Sequence, residues 1–129
     1  MTSGTSRKTA RRQALFLLYQ WDLTGQELAS LFEGEPDDFA RSLADEVAAR
    51  AQALDARISA ASPDWPADRL GTLERNILRV GVYELEEQTV PREVAINEAV
   101  VLAKRYATED AARLVNGILA RVARDEEAA

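Results

Sequence analysis

Apolar positions recur at helical spacing along nearly the whole chain. A first helix is predicted from about Ser6 to Leu23, with Thr5 or Ser6 able to cap it and Gly25 able to end it. Its stripe is Ala10, Ala14, Leu17, Leu18 and Trp21. A short helix near Gln26 to Phe32 stops at Glu33-Gly34-Glu35. Pro36 suits the start of a third helix running to Ala60, with Asp37 and Asp38 at the positive end of its dipole. Phe39, Leu43, Val47, Ala51, Leu54 and Ile58 form the stripe of that helix.

Ser62-Pro63-Asp64-Trp65-Pro66 is the clearest break. It predicts an N-terminal helical subdomain over about 1–62 and a C-terminal one over about 63–129. Beyond it, Asp68 to Leu70 suits a short helix and Leu73 to Glu87 a longer one. Leu73, Ile77, Gly81 and Leu85 share a face of the longer helix, with Leu78 and Val82 beside them. Gly81 inside that helix costs about 1 kcal/mol relative to alanine. Either a close helix crossing or a local break would account for it. Arg92 to Tyr106, opened by Pro91, is apolar on most sides, which predicts a central helix. The last helix spans Glu109 to Arg124, with Ala111, Val115, Ile118, Leu119 and Val122 inward. Asn116-Gly117 would be a hairpin turn between strands, but its flanks have helical periodicity. The fold class is all-α.

Composition narrows the chemistry. The chain has 129 residues, 47% apolar and 29% charged, which suits one globular domain. It holds no cysteine and no histidine. Disulfides and thiolate metal sites are excluded, and so are the commonest general base and metal ligand. A catalyst would have to work with carboxylates, lysine, tyrosine or hydroxyls. No cofactor or metal is expected.

Charge is polarised. The first twenty-one residues carry Arg7, Lys8, Arg11 and Arg12 and no acid; the rest holds twelve basic and twenty-two acidic side chains. A basic arm on an acidic body can dock a polyanion at one end and a basic protein elsewhere. A solvated charge run without a partner is the plain alternative. The four cations are expected on one sector that projects from the body, with Tyr19 continuing that sector two turns on. Ala14 to Leu18 is too short an apolar run for a signal peptide, and nothing approaches a bilayer span. An acid-free start also imitates a transit peptide, but the helix runs on into core positions. The expected location is the cytoplasm.

Four motifs in order resemble the NusB family. They are Arg11-Arg12-Gln13-Ala14 with Leu18-Tyr19 and Trp21, Leu73 to Leu85, Val94 to Lys104, and Leu114-Val115-Asn116-Gly117-Ile118-Leu119. The resemblance covers nearly the whole chain, with residues 25–65 generic. It implies about seven helices in two small packed bundles and a bacterial transcription antitermination factor. Such factors bind boxA RNA of ribosomal leader transcripts with NusE, a small-subunit ribosomal protein, and act on RNA polymerase.

By position, the resemblance makes Arg7, Lys8, Arg11 and Arg12 an RNA arm and places Asp110, Arg113 and Leu114 near the RNA. Leu114 stands where the family usually has phenylalanine, and leucine cannot stack on a base. Tyr19 and Glu74 match positions that contact NusE. Asn97 and Asn116 are expected to have a structural role, satisfying buried backbone groups between helices. Four neutralised phosphates of single-stranded RNA predict a salt slope of about −3.

Two rivals stay open. NusB-like domains also precede methyltransferase domains, but no glycine-rich cofactor loop or cysteine nucleophile is present here. The other rival is a protein-interaction adaptor or homodimer with weak or lost RNA binding.

Overall fold

The structure, a computed structural model, describes residues 6–128 apart from residues 33 and 36. Among them every regular element is helical. The order is α1 (Arg7–Thr24), α2 (Leu28–Leu31), α3 (Asp38–Ala49), α4 (Ala51–Ala61), a 3-10 turn (Ala67–Arg69), α5 (Thr72–Glu87), α6 (Arg92–Tyr106) and α7 (Glu109–Ala128). This is the all-α class with seven α-helices. The cap expected of Thr5 and the helix start expected at Pro36 lie outside the described residues. No helix among the described residues is long and apolar enough to cross a membrane.

The chain divides into two compact units, one ending at Ala49 and the other beginning at Arg50. The boundary expected at Ser62–Pro66 therefore differs from the one the packing gives. The reason is α4, which packs against α5, α7 and the 3-10 turn. Ser59 Oγ accepts from the Ala67 amide at 2.9 Å and ties α4 to that turn across the proline-rich break. The continuous helix expected from 36 to 60 is two helices, because Arg50 leaves helical backbone at φ −106°, ψ 12°. Val47 and Leu54 lie seven residues apart, so the apolar stripe passes over the break without a change of phase.

In the first unit, Ser6 Oγ caps α1 by accepting from the Thr9 amide at 3.1 Å. Gly25, at φ 75°, ends the helix with its N–H on the Trp21 carbonyl at 2.9 Å. Asp37 accepts from the Phe39 and Ala40 amides and caps α3. Helix α1 packs on α2 and α3. Ala10, Ala14, Leu15 and Leu18 meet Ala40, Leu43, Ala44 and Val47 in the buried set of this unit. Leu15 was missing from the expected stripe; Leu17 and Trp21, which were in it, are only half-buried.

In the second unit, α5, α6 and α7 pack pairwise, with α4 on α5 and α7. A Cβ on Gly81 would stand 2.7 Å from Leu119 Cδ1. Of the two explanations for this glycine, the close crossing is the one observed. Arg79 lies in the same helix, 5% exposed, and donates from Nε and Nη2 to both carboxylate oxygens of Asp55 at 2.7 Å. Its Nη1 donates to Asn76 Oδ1 at 3.1 Å, and Asn76 Nδ2 donates to the Thr72 carbonyl at 2.8 Å. Arg57 bridges Glu86 and Glu126 at 2.7 and 2.6 Å. Burial acts against its charge, but hydrogen bonds and attraction from the two carboxylates prevail, so its pKa lies above the usual arginine value.

Helix α6 departs from expectation. Ala95, Ala99, Leu102 and Ala103 are buried, but Val94 is 40% and Val101 46% exposed. It has an outward face and is not enclosed on all sides.

Candidate nucleic-acid interface

The basic arm is split by the geometry of α1. Arg11 is 3% exposed and engaged with groups of the chain itself. Leu15 and Leu18 follow it at four and seven residues, so it shares the inward stripe. The expectation that four cations project together is thus corrected for Arg11. Arg7 is exposed at the helix start and lies over the Phe39 ring, 4.2 Å from its centroid. That distance suits a cation–π contact, which leaves a guanidinium edge open for further hydrogen bonds. Lys8 is exposed and Arg12 half-buried on the outward face. Tyr19 is half-buried two turns beyond Arg12 along that face, as expected. Phe16 and Gln20 are exposed between and below them. Cations and aromatic rings thus interleave on one helix face, the arrangement that suits a single strand with phosphates and bases to bind.

In the second unit, α7 begins with Thr108 Oγ1 accepting from the Ala111 amide at 2.9 Å. Asp110 and Arg113 form an exposed ion pair one turn apart. Leu114 is half-buried. A shallow groove of about 230 Å³ is lined by Val100, Lys104, Glu109, Ala112, Arg113 and Asn116. Lys104 is a cation of this groove that the motif reading left without a site role. The signal was available: Lys104 ends the Val94–Lys104 motif, four residues after Val100 on the same helix face.

Asn97 and Asn116 are both exposed. The buried structural role expected of them is corrected; the fully buried amide is Asn76, which within α5 donates to the Thr72 carbonyl and accepts from Arg79. Glu74 is half-buried in the first turn of α5, with its carboxylate folded back to where a Cβ of Gly71 would stand. A carboxylate there faces the positive end of the helix dipole. Among the described residues no group of three or more potential ligands could hold a metal ion.

The family model for the NusB family matches residues 8–124. The chain belongs to the NusB family. It is 43% identical over 121 residues to the transcription antitermination protein NusB of Rubrobacter xylanophilus, covering 88% of this chain and 87% of that relative. The NusB of Bdellovibrio bacteriovorus is 38% identical, with 92% and 95% covered. Among solved structures, the antitermination factors NusB and NusE in complex with dsRNA match with a TM-score of 0.82 at 32% identity, covering 92% and 96%. NusB of T. maritima matches with a TM-score of 0.84 at the same identity, covering 95% and 94%. The NusB match takes in every predicted site residue except Arg7.

Proposed function

We propose that this chain is a transcription antitermination factor that binds boxA RNA together with NusE and joins the elongating RNA polymerase in the bacterial cytoplasm. What supports this is the family match across residues 8–124, with relatives of that name over nearly the full length. Lys8, Arg12 and the open edge of Arg7 on α1 contact phosphates, as does Arg113 on α7 beside Asp110 and Leu114. Tyr19 and Glu74 meet NusE, and the acidic remainder of the chain complements a basic ribosomal protein. Arg11 positions the arm from within the core and makes no RNA contact. The role is binding, not catalysis, consistent with a chain free of histidine and cysteine.

The deciding experiment is a titration of boxA RNA, a scrambled strand and a duplex, each with and without NusE. Tighter boxA binding with NusE is expected. Equal affinity for boxA and the scrambled strand would favour the adaptor or homodimer.

A contrast between cations refines the site. Replacing Lys8 and Arg12 together by alanine should weaken RNA binding at low salt and flatten the log–log salt slope by about 1.4, with melting unchanged. Arg11→Ala should do the reverse: the slope holds and thermal stability falls, since a buried guanidinium's partners are left unsatisfied. Salt titrations by fluorescence anisotropy alongside melting curves measure both.

A further inference from the structure

We propose that Phe16 is a base-stacking platform, and that Gln13 and Gln20 read the edge of the base lying on it. The idea rests on the RNA-binding role above and assigns one subsite within it. Phe16 is 38% exposed on α1, whereas an aromatic ring of that size normally contributes to a core. It lies four residues after Arg12 and four before Gln20, so these three residues line one face. Its ring borders a groove of about 420 Å³ within the first unit, walled by Leu31 and Phe32 and rimmed by Gln13, Gln20 and Glu35.

The chemistry of that groove suits a nucleobase. A flat apolar floor offers stacking to any base, since each has a π-face. Each amide has a donor and an acceptor, and Glu35 adds an acceptor, so base edges that carry N–H donors can be satisfied. The phosphates stay out of the groove, which lies beside a carboxylate, and follow Arg12 and Lys8, one and two turns up the helix from Phe16. Asp37, also on the rim, is held as the cap of α3 through Oδ2. An apolar side chain of a partner protein could fill the same volume, but the neighbouring cations favour a polyanion.

The test combines protein variants with an abasic scan. BoxA strands with single abasic substitutions are titrated against wild type, Phe16→Leu, Phe16→Tyr and Gln20→Ala, with melting followed by circular dichroism. One abasic position should weaken wild-type binding about tenfold. Phe16→Leu, which keeps the groove apolar, should lose about tenfold on intact RNA and be indifferent to that same abasic site. Phe16→Tyr should retain both the affinity and the abasic penalty. Gln20→Ala, exposed and harmless to folding, should lessen base preference at that position alone. Selective wild-type binding with Phe16→Leu unchanged would overturn the subsite and leave the RNA role intact. Loss of NusE capture by Phe16→Leu with RNA binding unchanged would overturn it too, assigning the groove to a protein side chain. Wild type without preference for boxA would instead overturn the parent role.

Discussion

Asp55→Ala should destabilise the second unit by about 3 kcal/mol, because it removes the carboxylate that two hydrogen bonds hold against the buried Arg79 guanidinium. Arg79 is 5% exposed and donates two parallel hydrogen bonds to Asp55 at 2.7 Å. That fork is the strong geometry for an arginine–carboxylate pair. Asn76 Oδ1 accepts from Nη1 and cannot replace a charge. Removing one partner therefore costs more than the pair contributes. The double variant Asp55→Leu, Arg79→Met should recover most of the loss, since an apolar pair of similar volume carries no desolvation penalty. Urea titration of the two variants checks this. A double variant no more stable than Asp55→Ala would show that the charged pair itself, and not the cost of breaking it around a buried guanidinium, holds α4 to α5. The RNA arm on α1 lies in the other unit, so boxA titration at low temperature separates a stability loss from a binding loss.

How much of this was legible beforehand follows from which signal each feature leaves in the chain. Helix α6 was placed at its observed limits because Pro91 opens it and the periodicity stops at Tyr106. The crossing at Gly81 was one of two readings, since a glycine with apolar residues four positions either side marks a place where backbones can approach. The break at Arg50 left no such mark: no proline or glycine is there, and the apolar stripe keeps its phase from Val47 to Leu54. Its stabilisers are tertiary. Arg50 reaches Glu87 at 2.7 Å and lies over the Tyr83 ring at 5.2 Å. The unit boundary was misplaced for the same reason, since Pro63 and Pro66 interrupt backbone helicity without interrupting the packing of α4 on α5.

The candidate site was legible in part. Lys8, Arg12 and Tyr19 share the outward face as the spacing predicts. Arg11 was read by its charge, although its distance to Leu15 and Leu18 places it with the core. Asn97 and Asn116 were read as buried amides because they sit in motifs, but both are exposed, and their helices turn other residues inward. Phe16 was in neither the expected stripe nor the expected site, because nothing in its residue type marks a ring left exposed. Exposure of a side chain four residues from a cation is a property of the folded helix pair and not of the residue type.

Leu119→Ala should cost about 2–5 kcal/mol, and adding Gly81→Ala should restore part of it. Leu119 is fully buried, with its Cδ1 2.7 Å and Cδ2 3.0 Å from where a Cβ on Gly81 would stand. Alone, Gly81→Ala gains about 1 kcal/mol of helix propensity. Against this, overpacking a filled core costs about 1–3 kcal/mol, so the single change should destabilise by about 1 kcal/mol. With Leu119 truncated, the new methyl enters space that the isobutyl group has vacated, and the propensity gain remains. The two changes should therefore couple favourably, by about 1–2 kcal/mol in a double-mutant cycle. Thermal melting reads this as a double variant several degrees above Leu119→Ala alone. Strict additivity would mean that α5 and α7 shift apart to admit the methyl group, and that their contact at Gly81 is not the tight point of the unit.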